Sequence, residues 1–217
     1  MKKAILIGAT GLVGSKLLEL LLSSSNYSEI KVLTRRKTGI QNRKLKEVII
    51  NFDDVEKFKE EITGDVLFST MGTTIKKAGS QDNQYKIDYT YQYMTAKIAA
   101  DNGVKHLVLL SSAGANAKSK VFYSRIKGEL DEAVQKLNFE GVNIIRPSML
   151  AGERKEFRLG ERFLTPLMYA FSWVPGLRKY RPINDVVVAK AMINSIMVNA
   201  SDVFELEEVF SLSKVKY

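Results

Sequence analysis

The stretch "KKAILIGATGLVGSKLLELLL", residues 2–22, decides how the rest of the chain is read. Residues 2–8 form a nearly continuous apolar run, the pattern of a strand buried on both faces. From residue 11 to 25, leucine and valine recur at helical spacing. Between strand and helix stand Gly8, Gly11 and Gly14. Gly8 permits a tight turn, Gly11 lets the backbone approach a pyrophosphate, and Gly14 lets the helix pack close to the strand. The helix N-terminus then offers N–H groups and the positive end of its dipole to an anion. A glycine triplet alone is a weak signal and could mark a plain loop. After a strand and at the mouth of a helix it reads as a dinucleotide-binding turn. The expected contacts are Gly8, Thr10, Gly11, Leu12, Val13 and Gly14, at the spacing GxxGxxG instead of GxGxxG.

Working outward, further strand runs are "IKVLT" (30–34), "EVIINF" (47–52), "DVLFST" (65–70), "HLVLLSS" (106–112) and "VNIIRP" (142–147). Helical patterns lie between them at about 54–61, 81–102 and 121–138. This alternation predicts an α/β fold of Rossmann type, a doubly wound parallel sheet. The connection from Arg35 to Lys46 is short and polar, so the crossover there is expected to lack a full helix. Past Pro147 the pattern changes. Residues 148–182 hold a Gly/Arg-rich loop and an aromatic cluster, and are expected to form a small irregular substrate cap over the sheet's C-terminal edge. The segment "INDVVVAKAMINSIM" (183–197) returns to an amphipathic helix. No repeat or linker divides the chain, and residues 1–217 are expected to be a single NAD(P)-binding domain.

The composition narrows the class. With 217 residues, 45% apolar, the chain is globular and long enough for one sizeable core. Cysteine is absent, which excludes a disulfide framework and thiol catalysis and suits a reducing compartment. The first apolar run breaks at Gly8 with no cleavage-type segment after it. The stretch "FLTPLMYAFSWVPGL" (163–177) is too short for a bilayer and contains Pro166 and Pro175. The expectation is a soluble cytoplasmic protein without membrane contact. The net charge of +9 comes from Lys and Arg spread among Asp and Glu, a solvated basic surface and not a nucleic-acid footprint. Anionic small molecules are natural partners. Monomer and homodimer are both compatible with the sequence.

The end of the second strand, "KVLTRRK" (31–37), bears on which dinucleotide binds. An NAD site usually carries Asp or Glu there, on the ribose 2′-hydroxyl. Arg35 and Arg36 stand in its place, and guanidinium forks suit a 2′-phosphate, so NADP(H) is expected. Two surface arginines of a basic protein are the plainer alternative. Asp53 is expected near the adenine, and Met71, Gly72 and Thr73 near the nicotinamide side with Pro147. Ordinary turn chemistry accounts for Asp53, Gly72 and Thr73 almost as well.

The strand "HLVLLSSAGA" (106–115) ends in Ser111 and Ser112, at the edge where open α/β sheets bind ligands. Tyr123 follows on the next helix, with Lys127 one turn beyond on the same face. Reduction of a carbonyl needs a proton donor for the developing alkoxide. A phenol titrating at about 10 needs a neighbouring cation to serve in both directions, and Lys127 supplies one. A serine hydroxyl can orient the substrate oxygen and share its charge. The Tyr-x-x-x-Lys spacing also occurs at Tyr27/Lys31 and Tyr93/Lys97, so the spacing alone carries nothing.

Taken together, the GxxGxxG turn, the serines, Tyr-x-x-x-Lys and "RPSMLAG" (146–152) resemble the extended and atypical short-chain dehydrogenase/reductases. Within them, "STMGTTIKKAGS", "LLSSAGANAKSKVFYSRIKGEL" and "RPSMLAGERKEFRLGE" are similar to the Tat-interacting-protein-type oxidoreductases. The resemblance implies a Rossmann fold, NADPH binding, Tyr123 as proton donor, Lys127 as its partner, and Arg35 and Arg36 on the 2′-phosphate. Asp88 stands where many extended members have asparagine, and that group's spacing favours Ser111 over Ser112. The leading function is an NADPH-dependent reductase of a small carbonyl substrate. The alternatives are an NADPH-sensing binding protein and a sugar-nucleotide epimerase or dehydratase, for which the chain is short. His106, the only histidine, reads as structural, and no metal-ligand cluster is visible. Arg154, Arg158 and Arg162 could steer an anion or form a solvated helix face. Phe163, Met168, Tyr169, Phe171 and Trp173 could line a substrate pocket, a dimer contact or a core.

Overall fold

A computed structural model describes residues 1–151, 178–198 and 201–215. The strands are β1 (Lys2–Ile7), β2 (Tyr27–Thr34), β3 (Leu45–Ile49), β4 (Val66–Ser69), β5 (His106–Leu110), β6 (Gly141–Arg146), β7 (Leu150–Ala151), β8 (Ile183–Asn184) and β9 (Asp202–Glu205). The helices are α1 (Leu12–Ser23), α2 (Ile75–Ala78), α3 (Gln81–Tyr85), α4 (Tyr91–Asp101), α5 (Phe122–Val134), α6 (Asp185–Val198) and α7 (Glu207–Leu212). Seven strands form one sheet in the order β3-β2-β1-β4-β5-β6-β9, and every pairing is parallel. The strand order reverses between β1 and β4, and at such a switch point loops diverge and leave a crevice at the C-terminal edge.

The apolar runs are continuous because alternate residues serve two layers. Ala4, Leu6, Phe68 and Val108 pack with α1, α6 and α7. Ile5, Ile7, Leu67, Leu107, Leu109 and Ile144 pack on the other side, with Phe52 and Val55 of a 3₁₀ helix (Phe52–Glu61), α4 and α5. Leu17, Leu18 and Leu21 of α1 are fully buried, each contributing about 2 kcal/mol by removal from water.

β2 reaches β3 without an intervening helix, as the polar connection predicts. The 81–102 pattern is one helical rod with a π-helical turn at Lys86–Thr90 between α3 and α4. The helix read from 183–197 is present as α6 but is not amphipathic. It is covered nearly all round, with Asn194 and Ser195 buried beside its apolar residues, because α1 and α7 both pack on it. Asn194 donates to the carbonyls of Leu212 and Val215. β9 has no counterpart in the sequence reading: "DVFE" is short and places only Phe204 in the core. Of the expected cap, Leu150–Ala151 pairs in parallel with Ile183–Asn184. Arg154, Arg158, Arg162, Phe163, Met168, Tyr169, Phe171 and Trp173 lie outside the described residues. Among the described residues, no helix is long and apolar enough to cross a membrane.

Candidate functional site

The glycine turn sits at the mouth of the crevice. Gly8 has φ +82°, and a Cβ there would fall 2.6 Å from the Thr70 carbonyl carbon and 2.7 Å from the Met71 nitrogen. A Cβ on Gly14 would fall 2.1 Å from the Gly8 oxygen and 2.6 Å from Thr70 Oγ1. Both glycines are therefore demanded by the packing of β1, β4 and α1. Thr70 fastens the same corner by donating its hydroxyl to the Ile7 carbonyl at 2.8 Å. Gly11 differs: its nearest neighbour would be the Gly8 oxygen at 3.2 Å, and the residue is exposed. It caps α1 with no side-chain hydrogen bond, and no acidic residue stands in the first turn. Helix geometry leaves the N–H groups of Leu12, Val13 and Gly14 without intrahelical partners. Thr10 is exposed at the same mouth, while the Val13 side chain is in the core, leaving only its backbone for a ligand. This cradle fits a pyrophosphate.

Arg35 and Arg36 follow β2 directly and are exposed. The Thr34 hydroxyl donates to the Arg36 carbonyl at 2.8 Å and shapes the turn. Among the described residues neither guanidinium is paired with a carboxylate. Asp53, at the start of the 3₁₀ helix, accepts the Tyr91 hydroxyl at 2.7 Å and pairs with Lys86 Nζ at 2.5 Å. The hydrogen bond from Lys86, then that from Tyr91, holds its carboxyl below the usual range.

Met71, Gly72 and Thr73 follow β4. The fully buried Asp88, in the π turn, accepts Thr73 N–H on Oδ1 at 2.8 Å and Gln84 Nε2 on Oδ2 at 3.1 Å. Two donors on two oxygens need a carboxylate, since an asparagine presents only one acceptor oxygen. Gln92 donates to the Asp88 carbonyl at 2.8 Å and accepts Ser69 Oγ at 2.7 Å. Asp88 thus clamps the loop after β4. Gly72 meets only ordinary contact at 3.6 Å from Asp88, so packing does not demand a glycine there.

Tyr123 lies half-buried in the first turn of α5. Lys127 follows one turn on at 3% exposure, and Asp131 two turns on at 0%. The Lys127 ammonium has no hydrogen-bond or ion-pair partner among the described residues. Ser111 continues the alternation of Leu107 and Leu109 and so faces α5. Its hydroxyl donates to Asp131 Oδ2 at 2.9 Å, the oxygen that also accepts Arg146 Nε at 2.9 Å. Ser112 is half-buried, with only a long 3.4 Å contact to the Ala113 carbonyl. Pro147, just past β6, ties that loop down through its carbonyl, which accepts Ala113 N–H at 3.0 Å.

Gly128, Asp131, Gln84 and Gln92 escaped the sequence reading. Only Gly128 carried a signal, a helix-weakening residue directly after Lys127. A Cβ there would fall 2.2 Å from Ala117 N and 2.3 Å from the Asn116 carbonyl carbon. The loop after β5 therefore rests directly on α5, helped by Asn116 N–H donating to the Ser124 carbonyl at 3.0 Å.

The other two Tyr-x-x-x-Lys pairs have different surroundings. Tyr27 and Lys31 lie within β2, with Lys31 Nζ donating to the Glu61 carbonyl at 2.6 Å. Lys97 pairs with Asp101 at 2.9 Å while Tyr93 stacks on Tyr89. His106 begins β5, at the opposite edge of the sheet. Among the described residues no group of ligating side chains could hold a metal ion.

Residues 8–162 match the NAD(P)H-binding family. The chain belongs to that family. Protein HTATIP2 of Rattus norvegicus is 31% identical over 213 residues, covering 95% of this chain and 86% of its own. Protein FMP52 of Candida albicans is 40% identical over 197 residues, covering 87% and 85%. The family and these relatives place the chain among the atypical short-chain dehydrogenase/reductases of the HTATIP2 type. A UDP-Glc/GlcNAc 4-epimerase from Campylobacter jejuni shares the fold at a TM-score of 0.70, with 15% identity, over 100% of this chain and 85% of that one. The expectation of a cytoplasmic protein is overturned, because the fungal FMP52 relatives are named mitochondrial. The grounds for that expectation were the absence of cysteine, of a cleavage-type segment and of a bilayer-length run, and none of these tells one reducing compartment from another.

Proposed function

We propose that the chain is an NADPH-dependent reductase of a small carbonyl compound, acting in mitochondria. The observation that supports it most is that Tyr123 and Lys127 share one face of α5, which packs on the serine-bearing end of β5, at the C-terminal edge of the sheet that also carries the glycine turn. Bound in that crevice, NADPH would supply the hydride. Gly11 and the first N–H groups of α1 would hold its pyrophosphate, and Arg35 and Arg36 its 2′-phosphate. Tyr123 gives its phenolic proton to the developing alkoxide, and the Lys127 ammonium stabilises the phenolate left behind. Ser112, not Ser111, orients the substrate oxygen. A hydroxyl must donate to share that charge, and the Ser111 proton is committed to Asp131.

The test is Tyr123→Phe on a verified carbonyl substrate. Loss of the general acid should lower kcat by about 10²–10⁴-fold, while fluorescence titration returns an unchanged NADPH affinity. Undiminished turnover would remove Tyr123 from the mechanism.

A further inference from the structure

We infer that Asp131 is a positioning residue for the proton-transfer pair: a buried counter-charge that sets how much of the positive charge on Lys127 and Arg146 reaches the Tyr123 phenol. The inference rests on the roles proposed for Tyr123 and Lys127.

Asp131 joins three elements at one point. It sits on α5 one turn beyond Lys127, receives Ser111 from the end of β5, and pairs with Arg146 Nε from the end of β6 at 2.9 Å. Its Oδ1 is buried with no hydrogen-bond partner among the described residues. Burying a carboxylate costs several kcal/mol, and this one is incompletely satisfied. A strut alone would not need the charge. Both donors go to Oδ2, and an asparagine oxygen could accept both without the desolvation penalty. What an amide cannot do is offset Lys127 and Arg146. With the carboxylate the cluster carries one net positive charge; without it, two. Burial pushes the Asp131 carboxyl up, while the Ser111 hydrogen bond, Arg146 and Lys127 oppose that push. The other titratable groups on the packed faces are Glu129 with Arg125 on α5, Tyr85 on α3, Asp88 and Tyr89 on the π turn, and Tyr93 on α4. All are retained in the variants below.

The experiment follows the Tyr123 phenol directly, in full-length protein labelled with ¹³Cζ-tyrosine and titrated by NMR. Tyr123→Phe identifies the resonance. Asp131 is two turns along α5, about 12 Å, and at an effective dielectric of about 20 a unit charge there is worth about one pH unit. In Asp131→Asn the phenolate gains stability, so the titration midpoint falls by about one unit; Asp131→Glu, which keeps the charge, stays near the wild type. Arg146→Gln removes a cation from the same carboxylate and moves the midpoint upward, a sign reversal that general loosening of the fold would not produce. An unmoved midpoint in folded Asp131→Asn, or shifts of the same sign in the Asn and Gln variants, would overturn the inference. Should Asp131→Asn fail to fold, an unmoved or lowered midpoint in Arg146→Gln suffices to overturn it. The readout needs neither substrate nor turnover, so failure of the reductase reading would appear separately, in the Tyr123→Phe kinetics.

Discussion

Asp88 and Ser111 show what a residue's type conceals until its neighbours are known. Read in the chain, Asp88 departs from an asparagine position and Ser111 has the favoured spacing. In the fold Asp88 accepts two donors that no asparagine could satisfy at once, and Ser111 has its proton committed. Each fact needs a partner distant in the chain, Thr73 fifteen residues from Asp88 and Asp131 twenty from Ser111, so no local pattern announces it. The glycines were legible because their constraint is local: a positive φ at Gly8 and a close approach at Gly14. His106 is legible from its position alone, at the start of β5 and so at the edge of the sheet opposite the glycine turn. Burial, then Lys2, holds its imidazole below the ordinary range. The folded protein therefore keeps His106 neutral while the unfolded chain takes up a proton, so this contribution to stability is present above the unfolded value of about 6.5 and is lost as the pH falls through it. The urea midpoint should fall from about pH 7.5 to about pH 5.5 by more in the wild type than in His106→Gln. Equal slopes would show that the imidazole carries no such linkage.

At the scale of the element, α5 carries most of the proposed chemistry. Its helical pattern, and the shared face of Tyr123 and Lys127, follow from spacing alone. What the pattern hides is the loop lying on it, for which Gly128 makes room. Helix propensity by itself predicts that Gly128→Ala stabilises α5 by about 1 kcal/mol. The contact at 2.2 Å from Ala117 N predicts the reverse, because the obstacle is backbone. Overpacking of this kind should cost about 1–3 kcal/mol in urea denaturation, with turnover falling as the loop bearing Ser112 is displaced. A stabilised variant would mean that the loop yields easily. The seventh strand was missed at this same scale: four residues with one core side chain do not make a pattern, and β9 exists because β6 offers an edge.

For the whole molecule, the parallel doubly wound sheet is legible from six apolar runs and the helices between them, since continuous runs require cover on both faces, whereas the order of its strands comes only from the structure. Nucleotide binding to the folded state alone should raise thermal stability by about 2.7 kcal/mol at a hundredfold excess over Kd, a rise in Tm of about 5–10 °C for a chain of this size. NADPH should raise it more than NADH at equal concentration, and Arg35→Glu with Arg36→Glu should erase that preference. Equal shifts from the two nucleotides in the unaltered protein would remove the arginines from cofactor choice.

The two core layers have a consequence for how the protein can change over generations. The glycine turn is backed by α1, α6 and α7, whereas Tyr123 and Lys127 are backed by the 3₁₀ helix, α4 and α5. Because the two layers lie on opposite faces of the sheet, substitutions that erode one can leave the other sound. Nucleotide affinity and proton transfer are thus separable traits in this architecture. A descendant could let its chemistry lapse while still gripping the nucleotide, without first passing through an unfolded ancestor.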